Sequence, residues 1–277
     1  MTNTNLSVDD IRVMALPPKP PRIAYGQLPE QFGELRLPDG PGPWPVMVLV
    51  HGGCWRNRHS LDYITHLAQR LTGHGWATWT LEYRRLGDIG GGWPGTLLDT
   101  GAGLDHLRTL AKTQALDLKR IVVAGHSAGG QLALWLAARP QMGSDSELYI
   151  PDPLPVSGVL GLAAITDLDS YRVGPPESCH AAVDLLMGGS PQNVPERYAK
   201  ASPLRLLPLN VPQVFLQGEC DDTVSLESVR HYVNRATDAG DQVSLQVMHG
   251  GGHFEVVMPS QALDSALLNE LNWLRAL

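Results

Sequence analysis

Beyond about residue 30 the chain alternates between short apolar runs and longer stretches with helical spacing. The runs at 34–37, 46–50, 78–83, 121–124, 158–163, 213–217 and 244–248 predict strands. Several are apolar at every position, as strands covered by helices on both faces must be. Helices are predicted over 61–72, 96–109, 129–139, 226–239 and 261–274, the last placing Leu263, Leu267, Leu271 and Leu274 on one face. This alternation predicts an α/β fold: a mainly parallel central sheet flanked by helices.

Two segments break the rhythm. Residues 1–30 are rich in proline, with Pro17, Pro18, Pro20 and Pro21 almost consecutive, and predict an extended N-terminal extension. Residues 167–210 carry Gly174-Pro175-Pro176 and Gly188-Gly189 between two strands, and predict an excursion over the sheet. Together the two segments are expected to form a small cap or lid. No compositional shift or repeat divides 31–277, which is expected to be a single domain.

Composition narrows the function more than the fold. With 43% hydrophobic and 18% charged residues, the chain has the make-up of a globular protein with a sizeable core. A formal charge of −7 excludes the basic footprint of a general nucleic-acid binder. No apolar run nears the roughly 20 residues of a membrane span, and the N-terminus shows no secretory pattern, so a cytoplasmic location is expected. Cys54, Cys179 and Cys220 are an odd count without a CxxC pair, so reduced, structural cysteines are expected rather than a disulfide framework or a metal site.

Candidate chemistry lies at the strand ends. Gly125-His126-Ser127-Ala128-Gly129 follows a strand and opens a helix, the context of a G-x-S-x-G nucleophile elbow. A plain small-residue turn is the alternative. Its flanking glycines are expected to relieve the crowding of a strained turn. A serine needs a base, and of ten histidines His253, within Gly250-Gly251-Gly252-His253-Phe254 after the last strand, is best placed. His249 stands nearby, at the strand end. His59, His66, His74, His106, His180 and His231 are read as surface or satisfied polar residues.

A carboxylate must orient the imidazole. Asp221 and Asp222 both follow the penultimate strand, and chemistry alone does not separate them. The order Ser127, Asp221, His253 is the order of α/β-hydrolases. An oxyanion hole requires N–H groups, one from Ala128 and others from the loop His51-Gly52-Gly53-Cys54-Trp55 after an earlier strand.

These residues resemble a known family. His51–Trp55 is similar to the HGGxW motif of the kynurenine formamidase and esterase branch of α/β-hydrolases, related to the hormone-sensitive-lipase esterases. Gly125–Gly130 resembles its GHSAG elbow, and Gly218-Glu219-Cys220-Asp221 its acid turn. The resemblance covers roughly residues 33–277. It implies an α/β-hydrolase fold, favours Asp221 over Asp222, and maps oxyanion donors onto Gly53 and Cys54. Cys54 stands where the family commonly has an aromatic residue, and Val224-Ser225 where relatives often have Val-Pro.

Trp55, Tyr83 and Trp93 are candidates for lining a substrate pocket, with structural roles as the alternative. The expected activity is hydrolysis of short-chain carboxylic esters through an acyl-enzyme, on a small-molecule ester or amide substrate. It requires neither cofactor nor metal, and no membrane or nucleic-acid partner. An arylformamidase acting on N-formylkynurenine, a peptidase and a non-catalytic binding protein are the alternatives.

Overall fold

A computed structural model describes residues 6–276. Eight strands, β1 (Arg22–Ala24), β2 (Phe32–Arg36), β3 (Trp44–Val50), β4 (Ala77–Leu81), β5 (Leu116–His126), β6 (Gly158–Leu162), β7 (Gln213–Gly218) and β8 (Val243–Met248), form one sheet in the order β1-β2-β4-β3-β5-β6-β7-β8. The first two pairings, β1 with β2 and β2 with β4, are antiparallel. From β4 to β8 every pairing is parallel, which confirms the expected mainly parallel sheet.

Side-chain alternation explains how both faces are buried. Along β3, Val46, Val48 and Val50 enter one apolar cluster, while Met47 and Leu49 enter the other. The helices Gly95–Asp105, Ala128–Ala138 and Leu226–Asp238 contribute to the first cluster. The helices Thr65–Gly73 and Gln261–Arg275 close the second, the latter through Leu263, Leu267, Leu271 and Leu274 as its spacing predicts. The helix Ala128–Ala138 is buried on every side, so its sequence needs no polar face.

The two irregular segments are more integrated than the pattern of prolines implies. Within 1–30, Arg22–Ala24 adds the edge strand β1, and Ile11 of the short helix Val8–Arg12 is buried in the second cluster. An edge strand of three residues, mostly exposed, leaves no apolar run to read. The 167–210 segment forms the short helices Leu168–Tyr171, Ala182–Met187 and Pro195–Ala201. Their Leu168, Val183, Leu186, Met187 and Tyr198 are buried in the first cluster.

Pairing register gathers the chemistry. Val50 stands opposite Gly125, His126 opposite Leu162, and Gly218 opposite Met248, so β3, β5, β6, β7 and β8 end on one rim. The crevice beyond the carboxyl ends of parallel strands is where such sheets bind ligands.

Candidate active site

Ser127 occupies the tip of the turn between β5 and the helix Ala128–Ala138, with φ 56° and ψ −120°. That backbone conformation costs about 1–3 kcal/mol for a non-glycine residue, and neighbours hold it in place. The Ser127 N–H donates to the Leu162 carbonyl at 2.9 Å, and the Ile165 N–H donates to the Ser127 carbonyl at 3.1 Å. The glycines provide clearance: a Cβ on Gly125 would lie 2.0 Å from the Gly129 carbonyl oxygen, and one on Gly129 would lie 2.1 Å from that of Val50. Both contacts are with backbone, so neither strand nor helix can yield cheaply.

The loop after β3 lies against this elbow. Gly53, Cys54 and Trp55 all have positive φ, at 100°, 55° and 53°. A Cβ on Gly52 would approach the His126 carbonyl oxygen to 2.5 Å. Buried polar contacts fix the loop from behind. His51 Nε2 meets Glu82 Oε1 at 2.6 Å, and Glu82 also pairs with Arg85 at 2.8 Å. The Tyr83 hydroxyl donates to the His51 carbonyl at 2.6 Å, and the Trp55 indole N–H donates to Gln131 Oε1 at 3.1 Å.

His253 Nδ1 is 2.8 Å from Asp221 Oδ2. Asp221 also accepts from Gln217 Nε2 at 2.9 Å, and its other oxygen accepts the N–H groups of Thr223 and Val224, both at 2.8 Å. Burial pushes this carboxyl up, but the contacts with His253 and those two amides outweigh it and hold Asp221 below the ordinary aspartate value. Asp222, the other candidate from the sequence, turns away and accepts the Thr223 hydroxyl. His249 is solvent-exposed beside Glu219, 3.4 Å away. The acid and histidine loops are joined through backbone: Glu219 N–H donates to Met248, and Cys220 N–H donates to Gly251.

Ser127 and His253 line a single cavity of about 120 Å³, together with Gly53, Cys54, His59, Tyr63, His126, Cys179, Thr223 and Phe254. Gly53 and Cys54 of the expected oxyanion loop therefore face the same space as Ser127. Ala128 begins the adjoining helix, whose first N–H groups have no acceptor within the helix.

Three expected pocket residues lie elsewhere. Trp55 and Tyr83 are fully buried in the first apolar cluster, where they anchor the β3 loop. Trp93 donates its indole N–H to Glu147 and lies beneath the Arg197 guanidinium. The expectation of three reduced cysteines is also corrected. Cys54 and Cys179 form a disulfide across 125 residues, their Cα atoms 5.0 Å apart, within the usual range for such bridges. Spacing concealed the pair, because only the 167–210 excursion brings Cys179 to the rim.

The pocket wall contains residues that the sequence reading left unassigned: Tyr63, His126, Thr223 and Phe254. His59, read as a surface residue, also reaches the cavity. His126 sits inside the quoted elbow, so its position was the available signal. Tyr63 carried none, since an aromatic at a helix start reads as core.

A family model described as BD-FAE matches residues 35–235. The chain belongs to the BD-FAE family. Esterase LipC of Mycobacterium tuberculosis is 28% identical to this BD-FAE chain over an alignment of 243 residues that covers 84% of the chain. The match covers 59% of LipC, so the chain spans about three-fifths of that relative's length.

Solved structures place this BD-FAE member among α/β-hydrolase folds. A truncated carbohydrate esterase from gut microbiota superposes with a TM-score of 0.79 at 17% identity, covering 95% of this chain and 98% of its own. An inhibited esterase B from Lactobacillus rhamnosis gives a TM-score of 0.79 at 19% identity, covering 97% and 91%. Est2 of Thermogutta terrifontis, in a propionate-bound form, gives 0.73 at 19%, covering 93% and 94%.

Proposed function

We propose that this chain is a serine hydrolase that cleaves carboxylic esters with small acyl groups. The observation that carries the reading is the His253–Asp221 contact at 2.8 Å, with the imidazole in one cavity with Ser127 at a strained strand-to-helix turn. Asp221 accepts the Nδ1 proton, which leaves Nε2 as the proton acceptor. Nε2 removes the Ser127 hydroxyl proton as Oγ attacks the ester carbonyl. The N–H groups of Gly53, Cys54 and Ala128 stabilise the oxyanion as it forms. The protonated His253 then returns the proton to the departing alkoxide, leaving Ser127 acylated. Water, deprotonated by His253, attacks the acyl carbonyl and releases the acid and a regenerated serine.

The size of the cavity favours short acyl groups. At about 120 Å³ it is well below the roughly 300–1,000 Å³ of a site that encloses a drug-sized ligand. The relatives are named esterases, and Est2 was obtained with propionate and with butyrate. The HGGxW loop favours a second reading, an arylformamidase, in which the same atoms act on a formyl amide. The formyl group is the smallest acyl group and would also fit.

No helix among the described residues is long and apolar enough to cross a membrane.

The test is kcat/KM for p-nitrophenyl acetate, butyrate and octanoate beside N-formylkynurenine. The ester reading predicts acetate or butyrate as the best substrate and at least a tenfold loss by octanoate. A preference for N-formylkynurenine would install the formamidase reading. A wild type that turns over neither would remove both. On the preferred ester, Asp221→Asn is expected to cost about 10⁴ in kcat, as a displaced tautomer does, while Asp222→Asn should cost little.

A further inference from the structure

Between the β3 loop and the His253 loop, two buried side chains form a continuous hydrogen-bonded chain. The Gly52 N–H donates to the Tyr63 hydroxyl oxygen at 2.5 Å. That hydroxyl lies 2.9 Å from His126 Nδ1, and His126 Nε2 lies 2.9 Å from the His253 carbonyl oxygen. The two ends fix the direction of every bond. A backbone N–H can only donate and a carbonyl can only accept. Tyr63 therefore accepts from Gly52 and donates to Nδ1, and His126 carries its proton on Nε2 for the His253 carbonyl.

Protonating His126 would break this order by placing a donor at Nδ1. Burial prevents it, holding His126 down at about 3, with the nearby His253 adding to the effect. The packing is equally continuous. The rings of His126 and His253 are 4.6 Å apart, and Phe254 packs against His126 at 5.4 Å and Tyr63 at 6.4 Å.

We infer that Tyr63 and His126 are positioning residues that set the distance between the oxyanion loop and the acid–base histidine. The inference rests on the serine hydrolase reading of the site. One end of the chain holds Gly52, next to the donor Gly53; the other holds the backbone of His253. The two groups that must meet one transition state are thus joined by three hydrogen bonds rather than by two independent loops. Misplacement by about 1 Å can cost 10²-fold in rate, so a short, buried link between the loops has a kinetic consequence. Both side chains also line the cavity, so the test uses Tyr63→Phe, which keeps the lining ring and removes only the link; its effect falls on kcat.

The test uses the intact protein on p-nitrophenyl acetate. Tyr63→Phe keeps the ring and removes the link; kcat is expected to fall at least tenfold, with KM within twofold and an unchanged circular dichroism spectrum. His126→Leu is expected to fall as far, and His126→Gln, which keeps one donor and one acceptor, to recover most of the loss. The double variant Tyr63→Phe/His126→Leu should be no slower than the slower single variant, because a broken chain cannot be broken twice. Unchanged kcat in Tyr63→Phe, or losses that multiply in the double variant, would overturn the inference.

If His126→Leu does not fold, Tyr63→Phe and His126→Gln still decide the matter. Nitrogen-15 spectra of histidine-labelled wild type give a readout apart from rate: His126 should be the neutral Nε2–H form at pH 5, and the Nδ1–H form would contradict the chain. An inactive wild type, or an active Ser127→Ala, would remove the serine hydrolase reading, and the inference with it. Losses confined to the variants at 63 and 126 leave that reading standing.

Discussion

The elbow at Ser127 and the excursion over 167–210 border the same cavity but are specified in different ways. The elbow is specified by close neighbours in sequence: five residues set the turn, and its glycines meet backbone from the adjoining strand and helix. The excursion is held from a distance. Cys179 bridges to Cys54, Arg205 pairs with Asp169 across the segment, and Tyr198 and Leu186 are buried in the core of the sheet. The turn at Ser127 is therefore set by local steric demand, whereas the size of the cavity beside it is set by contacts distant along the chain.

The largest effect is expected at the elbow. Gly129→Ala places a Cβ 2.1 Å from the Val50 carbonyl oxygen. A clash with the backbone of Val50 and His51 is expected to destabilise the fold by about 3 kcal/mol or more, read as a fall in the urea midpoint. A variant as stable as the wild type would show that the turn is looser than its geometry.

A second test uses pH, at the residue that precedes Ser127. His126 is held at about 3 in the folded chain, against 6.5 for an ordinary histidine. Between those values the unfolded chain binds the extra proton, so stability rises with pH across that window and levels off above it. Going from pH 7 to pH 4, this group should remove about 3 kcal/mol of stability, a loss that His126→Gln lacks. Asp221 acts in the same sense at lower pH: its depressed carboxyl contributes fully above its unfolded value of 3.8 and is lost only below it, mostly outside this window. Parallel stability curves for wild type and His126→Gln would show that His126 is not buried neutral.

The smallest effect is expected at the excursion. Replacing both Cys54 and Cys179 by serine releases the pocket wall from the oxyanion loop while keeping every backbone donor. We expect about a tenfold fall in kcat/KM for acetate, near 1.4 kcal/mol, and a weaker discrimination against octanoate. Unchanged rates and an unchanged acyl preference would mean that the bridge does not shape the pocket.

The same contrast explains what the sequence disclosed. Strands β3, β5 and β6 were legible because burial on both faces demands apolar runs, such as Val46–Val50. The elbow, the acid turn and the histidine loop were legible because each is a short motif whose glycines answer a local steric need. Strand β1 was not, since an exposed edge of three residues carries no apolar pattern. Trp55 and Tyr83 illustrate the converse: their place beside the glycine loop was legible, but their direction was not. Both turn into the core, where an indole and a phenol each find a buried acceptor. Neither the Cys54–Cys179 bridge nor the Tyr63–His126 link was legible, because each joins residues that only the completed sheet brings together.

In the proposed mechanism Ser127, activated by His253 and Asp221, carries the acyl group. The most direct measurement is mass spectrometry of the protein after reaction with a p-nitrophenyl phosphonate, which leaves a stable adduct on an activated serine. The expected result is stoichiometric labelling of the peptide bearing Ser127, loss of ester hydrolysis in step with labelling, and no adduct in Ser127→Ala. An adduct on another residue, or ester hydrolysis that survives in Ser127→Ala, would contradict it.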